Sequence, residues 1–213
     1  MNPSLRWQAS PPAHYNGPRI VLVHGLLAGR HMQNHLLTFL RAAGYADTTL
    51  YSNHLSPTII ARDVQQAAQA GRAVALIGYS QGGFQVVKVS HLLRQSGIAV
   101  DLMVSLAAGG VGRLYPPQWG ASVRRIPDNV KRHLNYFAAG DTMGTDPVHS
   151  LNLARAESGT TQVENITYSL DDRVDHKSIV RCFPADRVPP AVRTLFLDRL
   201  QQELSALDMM SRA

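Results

Sequence analysis

Ser80 stands inside Gly78-Tyr79-Ser80-Gln81-Gly82, between the apolar run Ala73 to Ile77 and an amphipathic stretch that leaves the motif. A serine hydroxyl becomes a nucleophile when the chain presents it on a sharp strand-to-helix turn, and that order of elements surrounds Ser80. Such a turn needs neighbours without side chains two places to either side, so that strand and helix approach closely. Gly78 and Gly82 meet that demand, and Gly83 follows. The amide of Gln81, at a helix start, would face developing negative charge.

A serine needs a base, and histidine titrates in the right range. Of nine histidines, His176 lies in the polar loop Asp171 to Ile179 after the last expected strand. There it follows serine and acid in chain order. The acid should come from the preceding loop. Asp146, which opens Asp146-Pro147-Val148 at an expected helix start, is preferred, with Asp141 after Gly140 as the alternative. Asp175 reads as a turn residue. The loop His24 to Gly29 should supply a second oxyanion donor, the Leu26 amide, beside a flexible Gly25, with His24 bonded inside its own loop. Leu26, Leu27, Tyr79 and part of the segment Leu114 to Trp119 would line an apolar, acyl-binding pocket.

The elements that must position these residues follow from periodicity. Strands are expected at 19–25, 46–51, 74–77, 100–106, 133–138 and 165–170. Helices are expected at 30–43, 57–70, 82–95, 148–157 and 190–207. Strands alternating with helices imply a doubly wound, mostly parallel sheet of about six strands with helices on both faces. Ligands bind such sheets above the carboxyl ends of the strands, where every candidate above falls. The expected organisation is an N-terminal extension, 1–18, and a single α/β domain, 19–213, with a short cap segment at 110–129.

The chain has 213 residues, 45% apolar and 17% charged, the profile of a globular domain. Cys182 is the lone cysteine, so no internal disulfide is expected. The net charge of +6 is spread over scattered arginines without an aromatic-interleaved stripe, which argues against a nucleic-acid partner. No apolar run has the length of a signal core or a membrane span. A cytoplasmic location is therefore expected, with export that uses no cleaved signal left open, and with at most peripheral contact with lipid. His31 and His35 have zinc-like spacing but lack a third ligand and the glutamate of the metalloprotease motif, so no metal is expected. No phosphate-binding glycine loop occurs, so no cofactor is expected.

With Val21-Leu22-Val23-His24-Gly25-Leu26, Gly78-Tyr79-Ser80-Gln81-Gly82, Asp146-Pro147-Val148 and Asp175-His176, the chain resembles the α/β-hydrolase superfamily, and within it the small lipase- and esterase-like members. The resemblance spans roughly residues 19 to 207. It implies the α/β-hydrolase fold in a minimal form, without a full opening hairpin or a large lid. It also implies an acyl-ester hydrolase that works through an acyl-enzyme. Ser80, His176 and Asp146 (or Asp141) would be catalytic, the amides of Leu26 and Gln81 would form the oxyanion hole, and Leu27 and Tyr79 would contact a small-molecule or lipid ester. The same set permits thioesterase, amidase or acyltransferase chemistry, and a non-catalytic binding protein on this fold is the remaining alternative.

Overall fold

The computed structural model describes residues 6–116, 119 and 122–212. Strands β1 (Arg6–Trp7), β2 (Arg19–His24), β3 (Thr48–Ser52), β4 (Val74–Tyr79), β5 (Val100–Leu106), β7 (Val130–Ala138) and β9 (Gln162–Tyr168) form one sheet in the order β1-β3-β2-β4-β5-β7-β9. All neighbours are parallel except β1, which runs antiparallel to β3 with Arg6 opposite Tyr51. The six expected strands are all present. The seventh comes from the N-terminal extension, whose first five residues lie outside the described set. A two-stranded pair, β6 (Arg125–Ile126) with β8 (Arg155–Ala156), stands apart.

Two layers of helix cover the sheet because the strands alternate apolar side chains to both faces. Ile20 and Leu22 of β2 join Met32, Leu36, Leu40, Phe196 and Leu200 in one core. Val21 and Val23 join Ile60, Val64, Val86 and Leu93 in the other. The first layer contains a helical run with α1 (Gly29–Met32), a π-helical turn Gln33–Leu37 and α2 (Thr38–Ala42). It is completed near the C-terminus by the π-helical stretch Val192–Asp198 and α5 (Arg199–Arg212). The second layer is α3 (Pro57–Gln69), with proline in its first turn, and α4 (Gln81–Gln95).

One expected helix is absent. Residues 148–157 form only a single 3-10 turn, His149–Asn152, and then strand β8. Asn152 explains the change. Its side-chain amide donates to the carbonyls of Asp146 and Val148 and its oxygen accepts the Asp146 amide, so a side chain satisfies backbone groups that a helix would otherwise pair.

At the amino edge of the sheet, the buried Arg19 guanidinium lies 2.7 Å from both Asp47 and Asp63, and Arg72 completes the network 2.6 Å from Asp47. The ion pairs there satisfy one another, and none reaches the carboxyl edge where the candidate residues gather. His133 on β7 is fully buried, and burial pushes its pKa down to about 3, against an opposing pull from the Met103 backbone and with a further lowering by the Arg124 charge. An imidazole that stays neutral when folded but protonates near pH 6.5 when unfolded lowers stability as pH falls from about 6.5 towards 3. Urea denaturation at pH 7 and pH 4.5 is expected to show this loss, and His133→Leu should reduce the pH dependence. An equal loss in wild type and variant would remove His133 as its source.

Candidate active site

Ser80 links β4 to α4 with φ 54° and ψ −123°, a backbone conformation that non-glycine residues rarely adopt. Packing enforces it. A Cβ on Gly78 would lie 2.5 Å from the Gly82 carbonyl oxygen, and a Cβ on Gly82 would overlap the carbonyl of Val23 on β2. Strand, helix and neighbouring strand therefore meet backbone to backbone, and the serine is pushed out at the carboxyl edge. Its amide donates to the Leu106 carbonyl at 2.8 Å, tying the turn to β5.

His176 arrives from the loop after β9, with its Nε2 3.1 Å from Ser80 Oγ. Its Nδ1 lies 2.8 Å from Asp141 Oδ2, and the Asp141 side chain is wholly buried. The amides of Met143 and Gly144 donate to the other oxygen, Oδ1, each at 2.9 Å. The carboxylate is thus held at both oxygens within a tight turn after β7. An imidazole placed between a hydroxyl and a buried carboxylate in this order can take up the hydroxyl proton.

No protein-family model and no curated protein sequence matches this chain. Solved structures do match in shape. Lipase B from Aspergillus fumigatus aligns with a TM-score of 0.59 at 15% identity, covering 92% of this chain and 59% of its own. RedJ, a thioesterase from the prodiginine pathway of Streptomyces coelicolor, aligns at 0.52 and 12% identity, covering 91% and 95%. Human thioesterase 2 aligns at 0.53 and 10% identity, covering 88% and 96%. This chain has the α/β-hydrolase fold.

Within that α/β-hydrolase fold the two acid candidates separate cleanly. Asp146, the preferred residue on sequence, does not reach His176. Its Oδ2 lies 3.5 Å from the Arg124 guanidinium and accepts from the Gly110 amide at 3.3 Å, so it braces the cap segment against the β7 loop. Asp141, the alternative, occupies the place beside the imidazole. The reason is the turn after Ala138: Asp141 donates its amide to the Ala138 carbonyl, and its side chain is folded back over Met143 and Gly144.

The loop after β2 also departs from expectation in one detail. Gly25 matters for close approach, since a Cβ there would sit 2.7 Å from Ser80 Cβ and 3.1 Å from the Gln81 amide nitrogen. The left-handed residue is instead Leu27, with φ 56°. His24 is bonded inside its own loop, its Nδ1 2.6 Å from the Gly25 carbonyl, and burial lowers its pKa. Asp175 is a turn residue that accepts the amides of Lys177 and Ser178.

Above Ser80 opens a cavity of about 750 Å³. Leu26, Leu27, Tyr79, Leu114 and Tyr115 line it, together with Val111 and Met143, neither of which was singled out from the sequence. Of the segment Leu114 to Trp119, Leu114 and Tyr115 are the part that lines it, whereas Trp119 lines a different groove with His91 and Leu92. The cap residues 117, 118, 120 and 121 lie outside the described set. Met143 carried a usable signal: it sits in the same loop as both acid candidates.

The strain at Ser80 yields a stability test. Glycine adopts φ 54° without penalty, whereas alanine does not. Ser80→Gly is expected to be about 1 kcal/mol more stable than Ser80→Ala by urea denaturation. Equal stabilities would mean that the turn relaxes around the side chain.

Proposed function

We propose that this chain is a serine hydrolase of carboxylic acyl esters. The observation that carries the reading is the unbroken line of hydrogen-bond distances from Asp141 through His176 to a serine held in a strained turn. In this mechanism His176 Nε2 accepts the Ser80 proton as Oγ attacks the acyl carbonyl. Asp141 holds the Nδ1–H tautomer and offsets the charge that forms on the ring. The amides of Leu26 and Gln81 would donate to the oxyanion; Gln81 opens α4, so its N–H has no partner within the helix. His176 then protonates the leaving alcohol, and water, activated by the same imidazole, releases the acid and restores Ser80.

The cavity wall favours an apolar acyl group. Leu27 is fully exposed, and Val111, Leu114 and Met143 are more than half exposed, around a mouth that leads to Ser80. Burying such side chains against an acyl chain gains roughly 25 cal/mol per Å². Thioester hydrolysis shares every step up to the leaving group. Thioesterases and a lipase of this same fold are among the solved structures that align with the chain, so thioesters form the second substrate class to assay.

A fluorophosphonate probe is expected to label the wild type and not Ser80→Ala. His176→Ala and Asp141→Asn should each lower kcat for a p-nitrophenyl ester on the order of 10⁴-fold, with Asp146→Asn remaining within several-fold of the wild type. An unlabelled wild type would overturn the hydrolase reading. If Asp146→Asn alone lost activity, the assignment of the acid would be wrong. Parallel rates on p-nitrophenyl esters and on acyl thioesters of matched chain length decide between the two substrate classes.

A further inference from the structure

The loop that carries His176 is held at two successive carbonyls by side chains from two separate elements. The Tyr79 hydroxyl, at the end of β4, donates to the His176 carbonyl at 2.6 Å. His31, in α1, places Nε2 2.9 Å from the Lys177 carbonyl, and because a carbonyl only accepts, that nitrogen carries the proton. The Tyr79 ring also lies 5.1 Å from the His176 ring, centroid to centroid. From the other side, Asp175 accepts the amides of Lys177 and Ser178.

The partner of His31 in the zinc-like pair does related work. His35 Nδ1 is 3.3 Å from the amides of Cys182 and Phe183, so it accepts, and its ring stays neutral. Burial, then His31 and Arg181, push its pKa down to about 4, consistent with that role. The rings of His31 and His35 meet edge to face at 4.5 Å. Both histidines thus face the segment that follows His176, and no cluster of three metal-ligating side chains occurs among the described residues.

We propose that Tyr79 and His31 are positioning residues for His176, clamping the carbonyls of His176 and Lys177 so that the imidazole stays on the line between Asp141 and Ser80. The two clamps differ in origin. Tyr79 belongs to the turn that carries Ser80, so the same five residues present the hydroxyl and anchor the base that serves it. His31 links the base loop to the helical run on one side of the sheet. Tyr79 remains a donor throughout the working pH range, because burial, reinforced by Asp141 and Asp175, holds its phenol well above the ordinary range. Misplacing a catalytic group by about 1 Å costs on the order of 100-fold in rate, so a partial loss of the clamp should register in kcat.

This role rests on the proposed hydrolase mechanism, and its test has one arm that needs no turnover. In the wild type the His176 Nδ1–H proton, bonded to Asp141, is expected as a sharp low-field NMR signal. Tyr79→Phe, which keeps the ring, and His31→Ala should broaden or shift it. With p-nitrophenyl acetate, both variants should lower kcat roughly 10- to 100-fold with KM within about twofold. His31→Gln, whose amide can reach the same carbonyl, should restore most of the loss. An unchanged signal and unchanged kcat in Tyr79→Phe and His31→Ala would overturn the clamp, as would a rate loss in His31→Ala that glutamine does not repair. A wild type without esterase activity but with variant-sensitive Nδ1–H would instead count against the hydrolase reading and leave the clamp standing.

Discussion

The backbone contact between Gly82 and the Val23 carbonyl is the constraint on which the rest of the site depends. It brings the start of α4 directly against β2, and the connecting residue has no choice but a positive φ. That strain costs of order 1–3 kcal/mol and survives only because the surrounding strands over-determine it. Gly25 extends the same logic to the β2 loop, which packs close to Ser80 and to the Gln81 amide. Any side chain at these glycines would separate the serine from the amides beside it.

The two edges of the sheet are built on different physics. At the amino edge, charges are buried and paired with one another around Arg19, a knot that consumes its own hydrogen-bonding capacity. At the carboxyl edge, the wholly buried carboxylate of Asp141 spends one oxygen on two backbone amides and keeps the other for an imidazole. Around it the loops expose large apolar side chains, Leu27, Leu114 and Met143 among them. A polar line at the bottom of an apolar mouth can stabilise a charge that forms briefly beside a bound apolar group.

Much of this was legible in the chain because it is local. The six principal strands showed as short runs rich in apolar or β-branched residues, and the glycine spacing around Ser80 reports a steric need that no other residue meets. His176 was legible from order along the chain. The helix expected at 148–157 failed because Asn152 captures the backbone groups of Asp146 and Val148, a side-chain competition that hydrophobic periodicity does not register. Which part of the segment Leu114 to Trp119 would line the pocket was not legible for a similar reason: an aromatic in a cap segment carries no sign of which groove it faces.

The amino-acid sequence by itself determined the parallel sheet, the strained turn and the serine at its tip, since these follow from residue size and spacing over a few positions. Tertiary structure decided which carboxylate meets His176 and what holds that histidine in place. Asp141 and Asp146 share one loop, and their distance along the chain from His176 differs too little to separate them. Only the fold shows Asp141 turned inward by the amides of Met143 and Gly144, and Asp146 drawn outward towards Arg124 and the Gly110 amide. The clamp on the His176 loop is likewise non-local: Tyr79 and His31 lie 97 and 146 positions from the carbonyls they bond. Hydrogen bonds across such separations are set by how loops converge in space, which no spacing rule along the chain encodes.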